Sequence, residues 1–535
     1  MKKALFLLID ALRYDVLSDP EKRWAVAPNM SKLADRGFVR RVVTNAQSTQ
    51  FVMPSLFSLT YPLDHGGYNN GIRERPASYA EVLRAAGFET HLMASCNQLG
   101  MTHGYDRGFN QVHTTNDYRL VIEHRISRTL NYELQLWKSG QRSQEETVTL
   151  VQREMDLMLE RIAQDMARHD KSIWPPRLKR LNERVARGCI AERDLLRREP
   201  LAVMRKMTGI APGIYWRFLG VRNINPVHLF LARALESLSW RSRDFIGKIT
   251  WFPFLPAGHY QAIAGEVIDA ICKFLETAGD RQWLIHMHVM DVHDCRSVSR
   301  PLHMFGLLRY LPRWVSARLR DQTSRRWLYD LAVMYVDDCL GRLFKTLERT
   351  GQLEDTVILI TGDHGLQYAE SPRKKYAVGY RTHYEDLEVP LMLFGCDRQP
   401  SDRGMIDSMG VTATFLDALG VPPHPSFKGR SAFGVGRDVV ISENGGHGNA
   451  DLKRRDLYFT ITSRSHKLMA VLRGNSLHVE KLFDRVVDPR ELRNIVDDPE
   501  QKPVVQNLLD HLFHERAELL GARAVDRGAW TVKPE

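Results

Sequence analysis

Apolar and polar residues alternate along this chain with two periods, one typical of buried strands and the other of helices. The short runs Ala4–Ile9 and Val357–Ile360 are apolar throughout, as in a strand buried on both faces of a sheet. Further strand candidates are Phe38–Thr44, Thr90–Ala94, Trp283–Val289 and Pro390–Phe394. Helical periods predict helices over Pro28–Arg36, Tyr79–Ala86, Tyr260–Thr277, Arg325–Thr350 and Val411–Leu419. This alternation predicts an α/β fold with a doubly wound, mostly parallel sheet.

The alternation stops between about residues 119 and 256, and this interruption sets the predicted domain boundaries. A long amphipathic pattern over Glu145–His169, followed by Arg- and Lys-rich segments, predicts a helical insertion at 119–256. We assign 1–118 and 257–435 to the two parts of one α/β core. From 436 to 535, the strand patterns Leu457–Thr462 and Lys467–Val471 precede a helix pattern, Lys502–Leu519, and predict a small α+β C-terminal subdomain.

The later part of the insertion, within 210–256, mixes basic and aromatic residues. The mixture is found in Tyr215–Leu219, Trp240–Arg243 and Lys248–Leu255. Basic and aromatic side chains together suit the surface of an anionic bilayer. The same composition fits an insertion that packs its aromatic rings on the core and exposes its arginines to water. The sequence leaves both interpretations open.

Length and charge limit the classes of protein that this chain fits. Its 535 residues are too many for one ordinary core, which agrees with a large domain that carries insertions. The formal net charge of +11 favours an anionic partner, such as a phosphorylated, sulfated, lipid-linked or glycan-linked ester. We find no nucleic-acid-binding motif in the sequence and expect no nucleic-acid partner.

The cysteines and the first residues bear on the compartment. The six cysteines lie far apart, without a CxxC spacing, which argues against a disulfide framework and suits a reducing compartment. The segment Met1–Ile9 imitates a signal peptide, but Asp10 cuts the apolar run short. No run approaches the length of a membrane span. We expect a cytoplasmic protein, and peripheral attachment to a membrane stays open.

Metal-ligand side chains follow two of the predicted buried strands. Asp10 comes directly after Ala4–Ile9, and Asp363 and His364 follow Val357–Ile360. Because parallel strands bring the residues after their carboxyl ends to one edge of a sheet, we expect these three side chains to meet. A buried carboxylate is costly unless it is paired or binds a cation, so the pattern predicts a divalent metal. The imidazole favours Zn²⁺ or Mn²⁺ over Ca²⁺, as one or two ions.

Further histidines and acids lie near other strand ends. They are His288 and His293, spaced H-x-x-x-x-H, together with Asp291 and His383. We assign the first two to catalysis, where they stabilise the transferring group or protonate the leaving oxygen. The other two are candidates for substrate contact or for a second metal. Arg13 lies three residues after Asp10 and either contacts substrate or only orients that aspartate.

Ser48 and Thr49 supply hydroxyl groups between a strand pattern and a helix pattern that ends near Ser58. A hydroxyl held by a metal ion loses its proton readily and becomes a nucleophile. Free backbone N–H groups at a helix N-terminus also receive an oxyanion. The same position suits a helix N-cap, and one residue can serve both purposes. We expect Pro54 in the first turn of this helix.

Six segments, taken in order, resemble the sulfatase branch of the alkaline phosphatase superfamily. They are Leu7–Asp15, Gly104–Phe109, Met290–His293, Tyr335–Gly365, His383–Pro390 and Leu482–Asn494. The resemblance covers most of the chain apart from the helical insertion. It implies an alkaline phosphatase-like fold and a metal-dependent ester hydrolase, with Asp10, Asp363 and His364 as metal ligands.

The chain departs from the sulfatases at the nucleophile. Sulfatases carry C-x-P-S-R, whose cysteine becomes formylglycine, and this chain has no cysteine there. Aligning Pro54–Ser55 on that motif places Val52 at the nucleophile position, which implies an inert site. The other register places Thr49 there, and Thr49–Pro54 then resembles the T-x-x-S-x-P of phosphoethanolamine transferases, which use threonine.

Two further departures favour a phosphorus ester over a sulfate ester. Ala11 replaces the second aspartate typical of calcium sulfatases, and Ser95–Asn97 stands where sulfatases have a K-W-H element that grips sulfate. Asn97 is therefore a candidate substrate contact. The resemblance implies cleavage of a phosphate or sulfate ester by a metal-activated Thr49, which would also be a metal ligand. The alternatives are a phospho-group transferase acting on a lipid- or glycan-linked substrate, and a catalytically inactive binding protein.

Overall fold

The computed structural model describes residues 2–96, 101–168, 171–249, 255–256, 261–295, 297–298, 301–320, 326–367, 382–446, 452–453, 455–526 and 530–532. Its strands are β1 (Lys3–Ile9), β2 (Phe38–Val43), β3 (Glu89–Ala94), β4 (Gln111–Thr114), β5 (Leu255–Pro256), β6 (Trp283–Val289), β7 (Ser297–Val298), β8 (Thr356–Thr361), β9 (Glu388–Phe394), β10 (Ile406–Asp407), β11 (Val440–Asn444), β12 (Leu457–Thr462), β13 (His466–Arg473), β14 (Ser476–Asp484) and β15 (Trp530–Val532). Its α-helices are α1 (Pro20–Val26), α2 (Pro28–Ala34), α3 (Thr49–Ser58), α4 (Tyr79–Ala85), α5 (Tyr118–Arg125), α6 (Asn131–Lys138), α7 (Gln144–Arg168), α8 (Pro176–Arg198), α9 (Pro200–Gly209), α10 (Pro212–Tyr215), α11 (Pro226–Ile249), α12 (Ala264–Ala278), α13 (Pro301–Leu308), α14 (Leu311–Arg320), α15 (Arg326–Arg349), α16 (Tyr384–Leu387), α17 (Ser408–Leu419), α18 (Lys502–Glu515) and α19 (Ala517–Gly521).

An eight-stranded sheet in the order β10-β2-β9-β8-β1-β6-β3-β4 forms the centre of the molecule. All neighbours are parallel except that β9 runs antiparallel to both β2 and β8. Every residue of β1, β6 and β8 is buried, which explains their nearly continuous apolar sequences. Leu8 pairs with His288 on one side and with Thr361 on the other, so these three strands end at the same level.

Helices cover both faces of this sheet, which confirms the predicted doubly wound α/β fold. On one face, Phe51 and Phe57 of α3 pack in the same apolar cluster as Phe415 of α17. On the other face, Ile271 of α12 and Leu343 of α15 share a second cluster. The apolar stripe of each helix is thereby removed from water, which is the main stabilising contribution of such layers.

Between β4 and the residues before α12, the described chain forms helices α5 to α11 and the small strand β5. These helices bury an apolar cluster of their own, which includes Met155 of α7 and Leu196 of α8. Arg125 connects them to the core, because its guanidinium donates to Glu154 Oε2 at 2.9 Å and to the Thr102 carbonyl at 3.0 Å. The helical character agrees with the prediction, while the boundaries at 119 and 256 stay predictions.

Some of the basic and aromatic segments of the insertion are buried, as expected for packing within the protein, and others are exposed, as expected for a surface that contacts a membrane. Tyr215 and Phe218 are buried, in agreement with packing inside the insertion. Helix α11, by contrast, carries large apolar side chains that are exposed: Val227, Phe230, Leu231, Leu235, Leu238, Trp240 and Phe245. The third segment, Lys248–Leu255, falls largely outside the described residues.

The C-terminal part forms a five-stranded sheet in the order β11-β12-β13-β14-β15, with α18 packed against β12. This confirms the predicted small α+β unit. Its apolar residues, such as Phe459 and Leu509, belong to the same cluster as one face of the central sheet. The predicted helix Lys502–Leu519 is instead two helices that meet at Arg516, whose guanidinium binds Glu443 and Asp64.

Candidate functional site

Asp10 lies at the centre of the candidate site, one residue beyond the end of β1. Its backbone N–H donates to the Val289 carbonyl at 3.0 Å, which holds the chain beside β6. The carboxylate is fully buried; Oδ2 accepts a hydrogen bond from Thr49 Oγ1 at 3.1 Å and lies 3.0 Å from His288 Nε2. Burial opposes ionisation, but the charge of His293 and the hydrogen bond with His288 outweigh it and lower the pKa of Asp10 to about 2.

Asp363 and His364 follow β8 and reach the same point, as the strand ends predicted. Asp363 Oδ1 accepts from the Ala11 N–H at 3.0 Å, and Asp363 Oδ2 lies 3.5 Å from His364 Nε2. The same Nε2 is 3.6 Å from Asp10 Oδ1. His364 Nδ1 lies 2.5 Å from the Gly365 carbonyl, which favours the tautomer with its proton on Nδ1 and leaves Nε2 as an electron-pair donor.

Gly362 and Gly365, on either side of Asp363 and His364, allow this turn to pack directly against the backbone of neighbouring segments. A Cβ atom at Gly362 would lie 2.4 Å from the Leu12 carbonyl oxygen. A Cβ atom at Gly365 would lie 2.0 Å from the Glu385 carbonyl oxygen, and the Gly365 N–H donates to the Asp386 carbonyl. Both positions therefore require glycine, because a Cβ atom would collide with backbone atoms that cannot easily move.

Thr49 is the first residue of α3, and its hydroxyl oxygen lies between the two metal-ligand groups. Thr49 Oγ1 is 3.1 Å from Asp10 Oδ2 and 3.3 Å from His364 Nε2. The Ser48 hydroxyl makes no cap hydrogen bond to the helix. Val52 is fully buried in the apolar cluster around α3. Of the two candidate nucleophile positions, Thr49 and Val52, Thr49 is therefore the one whose side chain lies beside Asp10 and His364. Pro54 lies inside the helix, not in its first turn as expected.

The two predicted catalytic histidines both lie close to Asp10. His288, on β6, contacts Asp10 directly. His293 has one ligand atom within 4.8 Å of those of Asp10 and His364, and its Nδ1 is 2.9 Å from Asp294 Oδ1. Its side chain is 38% exposed, on the open side of the site. Burial lowers the pKa of His293, but the negative charges of Asp10 and Asp294 outweigh burial and raise the pKa to about 10.

Two of the other predicted residues make contacts outside this group. The Arg13 guanidinium donates to Asp15 at 3.1 and 3.0 Å and to the Leu366 carbonyl at 3.1 Å. Asp291 Oδ2 accepts from the Ala264 N–H at 2.9 Å, where α12 begins. Burial raises the pKa of Asp291 to about 7. Both contacts are structural, and roles in substrate or metal binding stay predictions.

The remaining two predicted residues differ in how far the structure describes them. His383 is buried against the Phe483 ring, and its Nδ1 lies 3.0 Å from Glu491 Oε2. Asn97 lies outside the described residues. Their predicted roles as substrate contacts or second-metal ligands are not tested by these observations.

Sequence reasoning missed Cys96. Its Sγ, a ligand atom of His288 and a carboxylate oxygen of Asp10 all lie within 4.8 Å of one another, and all three residues are buried. The spacing of the cysteines along the chain shows no metal motif. A signal for Cys96 is present in its position after the predicted strand Thr90–Ala94, because Asp10 likewise follows the predicted strand Ala4–Ile9.

Arg128 of the insertion also went unnoticed. It belongs to a π-helical turn, Ile126–Leu130, and is half-buried. Burial lowers the pKa of Arg128, and the electrostatic interaction with Cys96 opposes that shift. The guanidinium from the insertion and this thiol are therefore close enough to interact electrostatically. Turns of this kind inside helices are frequent at functional sites.

The donor atoms of this group fit a divalent cation. Asp10 Oδ1 and Asp363 Oδ2 are buried and accept no hydrogen bond from the residues that the structure describes. A buried carboxylate oxygen without a donor is destabilising, whereas a bound cation satisfies it. Two carboxylates, an imidazole and a hydroxyl match the ligands of Zn²⁺ or Mn²⁺ in proteins.

Comparisons with known proteins find similarity to sulfatases and related enzymes. A family model described as Sulfatase matches residues 221–421. The chain is 28% identical over 189 residues to the multifunctional alkaline phosphatase superfamily protein PehA of Trinickia caryophylli, a match that covers 32% of this chain and 36% of that protein. It is also 28% identical over 215 residues to the choline-sulfatase of Rhizobium meliloti, which covers 38% and 39% respectively. The chain thus spans under two fifths of the length of each of these relatives.

The fold extends the similarity beyond these local matches. The phosphonate monoester hydrolase of Agrobacterium radiobacter superposes with a TM-score of 0.53 at 14% identity, over 97% of this chain and 96% of that chain. The family model includes His288, His293, Asp363 and His364, and the shared fold brings Asp10 from outside the matched range to the same place. The family model, the curated relatives and the fold together show that the chain is similar to the sulfatase branch of the alkaline phosphatase superfamily.

Proposed function

We propose that this protein is a metal-dependent hydrolase that cleaves a phosphate or sulfate ester, with Thr49 as its nucleophile. The observation that carries the proposal is the position of Thr49 Oγ1, 3.1 Å from Asp10 Oδ2 and 3.3 Å from His364 Nε2. A hydroxyl oxygen buried between two metal-ligand groups is held where a cation can activate it. The family supplies the reaction class, since its members include sulfatases and phosphatases.

Asp10, Asp363, His364 and the Thr49 oxygen would hold the cation. When bound, a divalent ion lowers the pKa of the hydroxyl and stabilises negative charge on the transferring group. Asp363 is fixed by the Ala11 N–H, and His364 by the Gly365 carbonyl, so two ligands are oriented before any ion binds. This preorganisation would lower the cost of placing a cation beside the Thr49 oxygen.

The reaction transfers the phosphoryl or sulfuryl group in two steps. Thr49 Oγ1, as the alkoxide, forms a bond to phosphorus or sulfur while the bond to the leaving oxygen breaks. His293, in its protonated form, gives its proton to that oxygen, and the alcohol departs. His293 then removes a proton from water, whose oxygen forms a bond to phosphorus or sulfur while the bond to Thr49 Oγ1 breaks; this releases the inorganic product and restores the Thr49 oxygen. Its exposed position suits an acid that must meet a departing group.

Charge favours an anionic substrate at this site. The chain carries a net charge of +11, and Arg128 brings a guanidinium to the neighbourhood of Cys96. The K-W-H element of sulfatases is replaced by Ser95–Asn97, so the local cation would come from the insertion instead. We therefore favour phosphorus esters over sulfate esters as substrates.

The test combines a substrate screen with a matched pair of Thr49 variants. Metal-loaded protein is assayed with an aryl phosphate, an aryl phosphodiester and an aryl sulfate. Thr49→Ala should lower kcat/KM on the cleaved ester by on the order of 10⁴-fold or more, whereas Thr49→Ser should keep a large part of it. Mass spectrometry of quenched wild-type protein should find the phosphoryl or sulfuryl group on the Thr49 peptide.

Three outcomes would overturn the proposal. Full activity of Thr49→Ala would remove the nucleophile assignment. No turnover of any of the three ester classes with Zn²⁺ or Mn²⁺ would instead support an inactive binding protein. Turnover that depends on an added alcohol acceptor, with no release of inorganic product in its absence, would replace the hydrolase by a transferase.

We infer that helix α11 contacts an anionic bilayer surface. Most of its exposed apolar side chains recur at helical spacing along one side, with Phe230 69% and Leu238 65% exposed. The opposite side rests on a small cluster through Ala232. Arg233 and Arg241 add positive charge, and anionic headgroups complement it. None of the described helices is both long and apolar enough to cross a membrane. Contact would therefore be interfacial.

A further inference from the structure

Asp10 also belongs to a second group of metal-ligand side chains, which does not include Thr49. It consists of Asp10, Cys96 and His288, whose ligand atoms all lie within 4.8 Å of one another. All three side chains are buried, at 0%, 1% and 0% exposure. A buried carboxylate and a buried imidazole are costly unless hydrogen bonds or a cation satisfy them.

The sheet register brings the three residues together. Ala94 of β3 pairs with His288 of β6, and the Ser95 N–H donates to the His288 carbonyl at 2.9 Å. Cys96 follows directly and is therefore carried over the end of β6. On the far side of β6, Asp10 leaves β1 with its Oδ2 3.0 Å from His288 Nε2. Three adjacent strands thus each contribute one ligand to the same point.

Two buried atoms of Asp10 and His288 lack hydrogen bonds within the described part of the chain. Asp10 Oδ1 accepts no hydrogen bond, and His288 Nδ1 makes none, among the residues that the structure describes. A cation between Asp10 and His288 would replace their mutual contact and bring in the Cys96 sulfur. Thr49 Oγ1 and His288 Nε2 both contact Asp10 Oδ2, and Oδ1 lies 3.6 Å from His364 Nε2, so the Asp10 carboxylate faces both groups and can serve a cation in each.

We propose that Asp10, Cys96 and His288 hold a second divalent cation, which Asp10 bridges to the cation at Thr49. The proposal rests on the proposed function, because it assumes the first cation. A sulfur and a nitrogen ligand favour zinc over calcium and magnesium. It gives His288 a ligand role in place of proton transfer and leaves an open coordination position for a substrate oxygen. Cations about 3.5–4 Å apart stabilise both the attacking and leaving oxygens in other two-metal sites.

Cobalt substitution tests the site without measuring activity. The protein is stripped of metal and reloaded with Co²⁺, which gives a near-ultraviolet charge-transfer band when bound to a thiolate. Wild-type protein should bind two equivalents per chain and show the band. Cys96→Ser should lose the band and about one equivalent. Cys396→Ser, which changes a half-buried cysteine elsewhere, should keep both.

A second variant covers the case in which Cys96→Ser does not fold. Cys96→Asp offers an oxygen ligand, so it should keep two equivalents of zinc by elemental analysis while the cobalt band disappears. Thermal unfolding of every variant, with and without metal, shows whether the lost equivalent reflects an unfolded chain. A single equivalent and no band in wild-type protein would overturn the proposal, as would a band that persists in Cys96→Ser.

The outcomes separate this proposal from the proposed function. If two equivalents and the cobalt band are found but no ester is cleaved, the second site stands and the hydrolase assignment falls. If Thr49-dependent cleavage is found with one equivalent and no band, the hydrolase stands and the second site falls.

Discussion

Glu491 Oε2 lies 3.0 Å from His383 Nδ1, although 108 residues separate the two along the chain. Both residues are buried, and the same carboxylate forms an ion pair with Lys467 Nζ at 2.5 Å and accepts from the Tyr384 N–H. Glu491 has a φ of 55°, a left-handed conformation that costs a non-glycine residue about 1–2 kcal/mol. Burial raises the pKa of Glu491, but Lys467 and His383 lower it to about 2. The contact therefore fixes the His383 tautomer with its proton on Nδ1.

Glu491 should act on the reaction as a positioning residue if His383 contacts substrate or metal. Glu491→Gln should lower kcat or metal affinity by about 10–100-fold, as expected for a lost orienting partner of a ligand histidine. Because the variant also leaves Lys467 without its partner, it should be made with Lys467→Met as well. If the double variant is folded and its kcat and KM equal those of the wild type, the role of Glu491 is structural only.

His293 should matter most for esters with poor leaving groups. His293→Asn removes the proposed proton donor, so we expect a loss of about 10²–10⁴-fold with alkyl esters. Aryl esters with acidic leaving groups need little protonation and should lose far less. Rates of both ester types in the wild type and the variant give the comparison. Equal losses with the two types would argue that His293 binds the substrate and does not protonate it.

Metal binding should make the wild type more stable to unfolding than Asp363→Asn, although the wild type is expected to be no more stable than that variant without metal. Asp363→Asn removes a buried negative charge but can keep the contact with the Ala11 N–H. Without metal, we expect this variant to be as stable as the wild type or more stable. With metal at 100 times its dissociation constant, the wild type should gain about 2.7 kcal/mol, and the variant little. Thermal unfolding with and without chelator measures both. An equal gain in the two proteins would exclude Asp363 as a ligand.

Gly362 should tolerate no side chain. In Gly362→Ala the new Cβ would lie 2.4 Å from the Leu12 carbonyl oxygen, beside Asp363, so the site should distort and lose metal. Gly209→Ala is the matched control, because nothing lies within 4 Å of that Cβ. The control should be neutral or slightly stabilising, by up to about 1 kcal/mol, in a helix. Metal content and thermal unfolding distinguish the two variants. Normal metal content in Gly362→Ala would show that the turn can move.

Helix α11 should bind vesicles that contain anionic lipid. Wild-type protein should sediment with phosphatidylserine-containing vesicles at low salt and much less with purely zwitterionic ones. The double variant Phe230→Ser and Leu238→Ser should lose this binding, while Val487→Ser, at an 80% exposed position elsewhere, should not. Dimerisation of the wild type that the double variant abolishes, without vesicle binding, would assign the surface to a second copy of the chain.

Sequence patterns predicted the elements that depend on neighbours along the chain. The buried strands β1 and β8 and the residues that follow them, Asp10 and His364, were predictable because parallel strands end at one edge. The place of Cys96 depends on the order β1-β6-β3, which no local pattern encodes. The contact between His383 and Glu491 likewise joins two distant loops.

The basic and aromatic composition of the α11 region could be predicted from the sequence, but which of its aromatic side chains are exposed could not. Composition marked the segment as basic and aromatic, but the distribution between buried and exposed rings follows from how α11 packs. Tyr215 turns inward, whereas Trp240 remains exposed. Such outcomes depend on tertiary packing, which overrides local preference.

The register of β1 between β6 and β8 has a consequence for synthesis. The Ala11 N–H and the Asp363 carboxylate that it binds are 352 residues apart. At ribosomal rates this separation corresponds to roughly 20–70 s of elongation. During that interval the nascent chain displays Asp10 and Thr49 without their later partners. Truncated chains that end before β8 should therefore need chaperones and should not retain zinc.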